Sequence, residues 1–170
     1  MQYDAVVYDL DGTLVDLAVD WAAVRRDVAA TLTDLGADPG ERDLWGLLGY
    51  SADCGHRGAV EAVIADHECE GAHASARLPL ADEVGHPVPV GVCSLNCEAA
   101  CHIALDTHDI ADAVDAVVGR DSVEREKPDP EPLLHTLSGL GVAPADAVFV
   151  GDSERDRECA ERAGVAFEWA

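Results

Sequence analysis

Short apolar runs alternate with amphipathic segments along most of the chain. Runs rich in β-branched and aromatic residues predict strands at residues 3–10, 88–93, 116–118, 147–150 and 165–168. Apolar positions spaced three and four apart predict helices at residues 21–35, 41–48, 58–67, 98–105, 131–140 and 156–163. This alternation predicts an α/β fold with a Rossmann-like parallel sheet, right-handed crossovers and helices on both faces.

The region after the first strand is helical throughout. From about residue 16 to residue 76 we find no convincing strand. The first helix has one apolar stripe, which we interpret as the core of this region rather than as substrate contacts: Trp21, Val24, Val28, Leu32 and Leu35. The pattern therefore predicts an α/β core built from residues 1–16 and 77–170, with a small helical insertion at residues 17–76. A chain of this length can bury one such core.

Composition changes this picture mainly through charge. The chain has 34 acidic and 11 basic residues, a formal net charge of −23. A chain with this balance repels phosphate backbones and anionic membranes, so we expect no nucleic-acid and no membrane partner. Its 48% of hydrophobic residues favours a folded domain over disorder. Residues 1–4 lack signal-like features, which predicts a cytoplasmic protein whose six cysteines are thiols.

Lysine is nearly absent from the chain. Ten of the 11 basic residues are arginine, and Lys127 is the single lysine. High acid with little lysine is typical of halophilic proteins, because a salt-rich cytoplasm screens the self-repulsion of the chain. The lysine kept at Lys127 also suggests a position that arginine cannot fill, since a compact ammonium suits a tight phosphate pocket.

Polar residues follow the predicted strands at the ends where open α/β sheets bind ligands. In chain order they are Asp9, Asp11, Ser94, Asn96, Lys127, Asp152 and Asp156. Carboxylates are ligands that Mg²⁺ prefers, whereas a hydroxyl and an ammonium bind phosphate oxygens. So many carboxylates would reject a phosphate dianion unless a divalent cation were present. The set therefore predicts a Mg²⁺ site for a small phosphorylated metabolite.

Two of these carboxylates have the chemistry for phosphoryl transfer. Asp9 is predicted to attack phosphorus and form an aspartyl-phosphate, which divides one difficult displacement into two easier ones. Asp11, two residues on, is predicted to protonate the leaving oxygen and later to activate water.

The same residues resemble the motifs of a known family. Asp9-Leu10-Asp11-Gly12-Thr13-Leu14-Val15-Asp16 resembles the first motif of the haloacid dehalogenase-like hydrolases. The other three motifs are similar to Ser94-Leu95-Asn96, Lys127-Pro128-Asp129-Pro130 and Gly151-Asp152-Ser153-Glu154-Arg155-Asp156. All four occur in order within residues 3–168. The chain most resembles the phosphoglycolate-phosphatase-like branch, whose helical cap follows the first motif, here at residues 17–76.

The resemblance implies a role for each matching residue. It makes Asp9 the nucleophile and a metal ligand, and Asp11 the general acid and base, with its backbone carbonyl on Mg²⁺. The remaining implied roles are phosphate binding by Thr13, Ser94, Asn96 and Lys127, metal binding by Asp152 and support by Asp156. Dehalogenases of the family generally lack the second aspartate of the first motif. Asp11 therefore favours phosphoryl transfer over dehalogenation.

The chain also departs from the family pattern. Between residue 80 and the second predicted strand lie only about eight residues, 81–88. Family members usually carry a helix there. We therefore expect a reduced sheet edge or pocket, which a homo-oligomer would complete. Two alternatives stay open: a phosphomutase of the same family, and a phospho-accepting or binding protein with little catalytic turnover.

The composition generates a prediction about salt. Raising KCl from dilute to molar concentration shortens the Debye length to about 3 Å, so the acidic surface repels itself less. We expect the melting temperature, followed by circular dichroism, to rise over this range. A melting temperature that stays level or falls would contradict the halophilic interpretation.

Overall fold

The structure, a computed structural model, describes residues 3–170, so Met1 and Gln2 of the predicted core lie outside the described residues. The helices and strands of the described part are β1 (Ala5–Tyr8), β2 (Val15–Asp16), α1 (Trp21–Asp34), α2 (Leu44–Asp53), α3 (Arg57–His73), β3 (Ala76–Arg77), β4 (Val90–Cys93), α4 (Glu98–Thr107), β5 (Ala116–Val118), α5 (Glu131–Leu140), β6 (Ala147–Gly151), α6 (Glu154–Ala163) and β7 (Ala166–Trp169). None of these helices is long and apolar enough to cross a membrane.

Five of the strands within residues 3–170 form one parallel sheet in the order β5-β4-β1-β6-β7. The central strand is β1, where Val7 lies opposite Gly91 of β4 and Phe149 of β6. The predicted α/β fold with a Rossmann-like parallel sheet is confirmed. Strand bounds differ from the prediction by a few residues, since β4 begins at Val90 and β6 continues to Gly151.

Helices cover both faces of the sheet. Val6 of β1 belongs to an apolar cluster with residues of α3 and α4, including Leu105. Its neighbour Val7 belongs to a second cluster on the other face, with residues of α5 and α6, including Leu137. Successive strand residues point to opposite faces, so a strand buried on both sides has a continuous apolar sequence. This explains the unbroken apolar runs in the chain.

The inserted helices α1, α2 and α3 share an apolar cluster of their own. Asp20 starts α1 by accepting hydrogen bonds from two backbone N–H groups at 3.0 Å. Asp43 starts α2 in the same way, 2.8 Å from the N–H of Gly46. The predicted helix at residues 41–48 therefore had the wrong bounds. At the two ends of the insertion, β2 and β3 pair antiparallel over two residues each, too few to give a periodic signal.

The apolar stripe of α1 is core along only part of its length. Val24, Val28 and Leu32 are fully buried, whereas Trp21 is 38% exposed and Leu35 is 44% exposed. The prediction that all five are core was therefore wrong for these two. Trp21 is the first residue of α1 and Leu35 follows its last residue, so both lie where the helix leaves its packing partners.

Helix α3 is longer than the predicted 58–67 because its second half packs against the core. Glu68, Gly71 and Ala72 are buried there, and a Cβ on Gly71 would lie 2.5 Å from Cγ2 of Val19. The short segment before β4 forms one 3-10 turn, Pro79–Asp82, whose Ala81 is buried in the cluster that contains Ala72. This segment and α3 together cover the sheet face beside α4.

The cysteines in the described residues are all free thiols. Cys69 of α3 and Cys97, just before α4, place their Sγ atoms 4.0 Å apart where the insertion meets the core. Burial raises the pKa of the Cys97 thiol to about 12, which keeps it protonated.

One buried ion pair joins the insertion to the core. Glu68 of α3 accepts hydrogen bonds from Nη1 of Arg120 at 2.7 Å and from Nη2 at 3.0 Å. The same carboxylate accepts from the backbone N–H of Cys97 at 2.9 Å. Arg120 also donates to the carbonyl of Leu95 at 2.6 Å and to Glu61 at 3.0 Å. These bonds tie α3 to the loop after β4.

This ion pair generates a stability prediction. Replacing Arg120 with methionine leaves the carboxylate of Glu68 buried without a cation. We expect the free energy of unfolding in urea to fall by about 3 to 5 kcal/mol, the usual cost of removing one partner of a buried pair.

The control is Arg57→Met, which removes an exposed ion pair to Glu61 and should change stability far less. Equal effects of the two substitutions would show that the buried pair does not fix the insertion.

Candidate active site

The carboxyl ends of β1, β4 and β6 place three polar residues at one edge of the sheet. Asp9 follows β1, Ser94 follows β4 and Asp152 follows β6. The N–H of Asp9 donates to the carbonyl of Val150 at 2.8 Å, which holds the chain beyond β1 beside the end of β6. Ligands of open α/β sheets bind at this edge.

Lys127 reaches this edge from the loop before α5 and is only 3% exposed. Its Nζ donates to Oδ1 of Asp9 at 2.9 Å, to Oδ1 of Asp156 at 2.5 Å and to the carbonyl of Cys93 at 3.0 Å. An ammonium has three N–H donors, so all of them are satisfied. Burial opposes the charged form most strongly, but the nearby charges of Asp9 and Asp156 and the hydrogen bond to Asp156 together raise the pKa of Lys127 above its ordinary value. Lys127 is therefore a fixed buried cation.

The two carboxylates around Lys127 differ in what else they contact. Asp9 lies at a cavity wall, and burial raises its pKa to about 6 although Lys127 opposes the shift. Asp9 is therefore ionised at neutral pH. Asp156 is fully buried, and its second oxygen accepts from the N–H of Ser153 at 3.1 Å and from its Oγ at 2.5 Å. Both oxygens of Asp156 are thus engaged, which suits it to hold Lys127 and the start of α6 in place.

An acidic cluster with metal-binding geometry lies beside this lysine. Asp9, Asp152 and Asp156 each offer one oxygen, and these three oxygens lie within 4.8 Å of one another. Since both oxygens of Asp156 already have partners, Asp9 and Asp152 are the carboxylates best placed for a cation. Burial and the charge of Asp156 both raise the pKa of Asp152. One or two carboxylates is the number that Mg²⁺ usually takes from a protein.

Gly12 allows Asp152 to approach the turn after β1. The φ of Gly12 is +85°, and a Cβ there would lie 2.2 Å from Oδ2 of Asp152. Any other residue would be strained by the backbone conformation and would clash with the carboxylate. The glycine of the first motif therefore brings the ends of β1 and β6 together.

Asp11 lies in the same turn and lines the cavity. Its Oδ1 accepts a hydrogen bond from the N–H of Leu17 at 2.8 Å, which fixes the direction of the side chain. Burial raises the pKa of Asp11, while the hydrogen bond from Leu17 opposes the shift. A raised pKa favours the protonated form that a general acid needs.

Ser94 and Asn96 form a closed pair of hydrogen bonds in the loop after β4. The Oγ of Ser94 donates to Oδ1 of Asn96 at 3.0 Å, and the N–H of Asn96 donates back to that Oγ at 3.1 Å. Nδ2 of Asn96 donates to Glu68 at 3.3 Å. Glu68 therefore orients the loop residue that reaches the cavity wall.

Thr13 is buried and differs from its neighbours in having an unused polar atom. It is 2% exposed, and its Oγ1 has no hydrogen-bond partner within residues 3–170. A buried hydroxyl without a hydrogen-bond partner is costly. A ligand bound at the turn of the first motif could supply the partner that Oγ1 of Thr13 lacks.

The cavity at this edge has a volume of about 440 Å³. Four of the residues predicted from sequence line it: Asp9, Asp11, Asn96 and Asp152. The other four, Thr13, Ser94, Lys127 and Asp156, are buried, and Lys127 also lines an adjoining cavity. The structure therefore brings all eight predicted residues to the same end of the sheet. Four of them line the cavity and the other four are buried.

Sequence reasoning missed several residues that build the cavity. Glu68, Trp45 and Arg155 all contribute to its wall, and Trp21 joins them although it was predicted as core. Arg155 stands within the fourth motif, so its position in the sequence offered a signal. Glu68 offered none, because a lone glutamate in a helix has no distinguishing pattern.

Comparison with known proteins gives consistent results. The family model described as haloacid dehalogenase-like hydrolase matches residues 84–170. A phosphoglycolate phosphatase of Rhodospirillum rubrum is 30% identical, over 95% of this chain and 76% of that protein. One from Cereibacter sphaeroides is 31% identical, over 95% of this chain and 82% of that protein. A haloacid dehalogenase superfamily hydrolase structure from Geobacter sulfurreducens has a TM-score of 0.62 at 25% identity, covering 97% of this chain and 88% of that one.

The buried lysine generates a prediction with a defined pH dependence. Replacing Lys127 with methionine leaves Asp9 and Asp156 without a cation, so we expect a loss of about 3 to 5 kcal/mol in unfolding free energy at pH 7. The pKa of Asp9 then rises further, because Lys127 no longer opposes the effect of burial, and the folded variant binds more protons than the unfolded chain. Its stability deficit therefore shrinks as the pH is lowered from 7 to 5.

Urea denaturation of both proteins at the two pH values measures this deficit. Arg157→Met, which removes exposed ion pairs to Glu154 and Glu161, serves as the control and should show no such trend. A deficit that grows as the pH falls would contradict the assignment of Lys127 as the counter-ion.

Proposed function

The chain belongs to the haloacid dehalogenase-like hydrolases and is a phosphatase of the phosphoglycolate-phosphatase-like branch, and from this premise we propose its mechanism and cofactor. We propose that it hydrolyses a small phosphomonoester through an aspartyl-phosphate on Asp9, with Mg²⁺ as the cofactor and Asp11 as the general acid and base.

The contact between Lys127 and Asp9 is the observation that carries the proposal. The ammonium holds one carboxylate oxygen at 2.9 Å, and the pKa of about 6 leaves Asp9 ionised at neutral pH. The residue also lines a cavity large enough for a small metabolite. A charged and oriented carboxylate beside a substrate cavity is what attack on phosphorus requires.

In the first half of the reaction, a carboxylate oxygen of Asp9 attacks phosphorus. The bond from phosphorus to the leaving oxygen breaks, and Asp11 gives its proton to that oxygen. The raised pKa of Asp11 supports this role, because it keeps the acid protonated to higher pH than an exposed aspartate. The hydrogen bond from Leu17 to Asp11 keeps the carboxyl group in one orientation during the transfer.

In the second half, water attacks the phosphoryl group on Asp9. Asp11, now ionised, takes a proton from that water, so the residue ends the cycle protonated. The bond between Asp9 and phosphorus breaks, which releases inorganic phosphate and restores the carboxylate. Lys127 stays paired with Asp156 throughout and stabilises the Asp9 carboxylate when it is regenerated.

The donor set fits a magnesium ion. Asp9 and Asp152 would hold the cation, together with the backbone carbonyl of Asp11 that the family resemblance adds. These are hard oxygen donors, which Mg²⁺ prefers over nitrogen or sulfur. When bound, the cation offsets the negative charge that a phosphate brings among the carboxylates.

Phosphate binding stays a prediction for four residues: Thr13, Ser94, Asn96 and Lys127. The unpartnered Oγ1 of Thr13 supports it most directly. Ser94 supports it through its bond to Asn96, which orders the loop at the cavity wall. Lys127 is buried and paired with Asp9, so it contributes its positive charge beside Asp9 rather than an exposed N–H donor.

Substrate, partners and location belong to the same proposal. The acidic balance of the chain favours a small phosphorylated metabolite over nucleic acid or membrane, and a homo-oligomer in the cytoplasm stays an expectation. A phosphomutase would retain the phosphoryl group instead of releasing it, and a phospho-accepting protein would stay phosphorylated with little turnover. Release of inorganic phosphate therefore distinguishes the phosphatase from both alternatives.

The central test is Asp9→Asn, assayed in molar KCl with Mg²⁺. Asparagine has the shape of aspartate but is a far weaker nucleophile, so we expect phosphate release from simple esters to fall by roughly a thousandfold or more. Removing Mg²⁺ with a chelator should abolish the activity of the native protein.

Asp34→Asn, at the exposed end of α1, is the matched control and should keep native activity. Equal rates for the native protein and Asp9→Asn would refute the assignment of Asp9 as the nucleophile.

A further inference from the structure

Two thiols face each other where the insertion meets the core. Cys69 of α3 and Cys97, the residue before α4, place their Sγ atoms 4.0 Å apart although they are 28 residues apart in the sequence. Within residues 3–170, this is the only hydrogen-bond contact between two cysteine side chains. A disulfide has an S–S length of about 2.05 Å, so the two sulfurs lie about 2 Å short of a bond.

The segments that carry the two thiols are held together by a buried carboxylate. Glu68, the neighbour of Cys69, accepts a hydrogen bond from the backbone N–H of Cys97 at 2.9 Å. Both oxygens of Glu68 also bind Arg120, which fixes this part of α3 against the core. The two thiols therefore stay close in one arrangement, and such proximity raises the rate of a reaction between them.

The two thiols differ in how solvent reaches them. Cys69 is half-buried, whereas Cys97 is 1% exposed. Burial raises the pKa of the Cys97 thiol to about 12, so Cys97 stays protonated and is not the first to attack an oxidant. A small oxidant in solution therefore reacts first at Cys69. Three other cysteines are fully buried and out of its reach: Cys93, Cys101 and Cys159.

We propose that Cys69 and Cys97 form a redox modification site, where oxidation by a small disulfide links the insertion to the core and lowers the activity. The Cys69 thiolate attacks one sulfur of the small disulfide and expels a thiolate, which takes up the proton that Cys69 lost. Cys97 then loses its proton and attacks Sγ of Cys69, which expels the second thiolate, and this thiolate takes that proton. Two cysteine thiols are oxidised to one disulfide, and the small disulfide is reduced to two thiols.

The cross-link would lie directly behind the cavity wall. Glu68, next to Cys69, and Asn96, next to Cys97, both line the main cavity, and Nδ2 of Asn96 donates to Glu68 at 3.3 Å. Closing the gap between the two sulfurs draws α3 and the loop after β4 together at this point. Small displacements of positioning groups are costly in a reaction site, so the oxidised protein loses activity. This loss rests on the proposed phosphatase function, whereas the cross-link does not.

The test treats the protein with oxidised glutathione in molar KCl. The native protein is compared with Cys69→Ser, Cys97→Ser and the control Cys101→Ser. Serine suits position 97 because this residue is the N-cap of α4. Free thiols are alkylated after denaturation, and a digest made without reductant is mapped by mass spectrometry. Phosphate release from simple esters with Mg²⁺ is measured on the same samples, before and after dithiothreitol.

We expect the native protein to lose two of its six alkylatable thiols and to yield one pair of peptides joined through Cys69 and Cys97. Phosphate release should fall roughly tenfold or more and recover with dithiothreitol. Cys101→Ser should behave like the native protein. Cys69→Ser should form no link and keep its activity in the oxidant, whereas Cys97→Ser should stop at the mixed disulfide of glutathione with Cys69.

The outcomes that would overturn the inference are distinguishable. No linked peptides, or a link through any other cysteine, would remove the modification site. A link between Cys69 and Cys97 that leaves phosphate release unchanged would remove the control of activity. No phosphate release by the reduced native protein would overturn the proposed function, while the peptide map would still decide the cross-link.

Discussion

The buried ammonium of Lys127 is the contact on which the rest of the site depends. It joins the end of β1 through Asp9, the end of β4 through the carbonyl of Cys93, and the start of α6 through Asp156. Two buried carboxylates so close together would be unstable without a cation between them. Because Asp156 also binds Ser153, the same contact fixes the first turn of α6 and the residue that directly follows Asp152. One charge therefore positions both Asp9, the proposed nucleophile, and the side of the site proposed to bind the metal.

The site is completed from the insertion as well as from the core. Glu68 of α3 binds Arg120 and the loop after β4, so the insertion orients Asn96 at the cavity wall. The outer wall pairs Trp45 of the insertion with Arg155 of the core. The residues proposed to react with phosphorus come from strand ends, whereas Glu68 and Trp45 reach the same cavity from the insertion. Both parts of the fold therefore build the cavity.

The sheet and the motif residues were predictable because their signals are local. A strand buried on both faces is a short apolar run, and a polar residue just after it marks the binding edge. The insertion was harder, since α2 starts at Asp43 through a capping bond and α3 is extended by packing of Glu68 and Ala72 against the core. The pair of Glu68 and Arg120 spans 52 residues of sequence and left no pattern. Trp21 was taken as core because periodicity shows which residues share a face but not where the helix leaves its neighbours.

A phosphoryl group on Asp9 during turnover is the most direct test of Asp9 as the nucleophile. Native protein is mixed with a radiolabelled phosphomonoester in molar KCl with Mg²⁺, quenched in acid during turnover, and mapped by peptide mass spectrometry. We expect an acid-stable, hydroxylamine-sensitive phosphate on the peptide that contains Asp9, absent in Asp9→Asn. Rapid phosphate release with no labelled protein, or label on another residue, would contradict the assignment of Asp9 as the nucleophile.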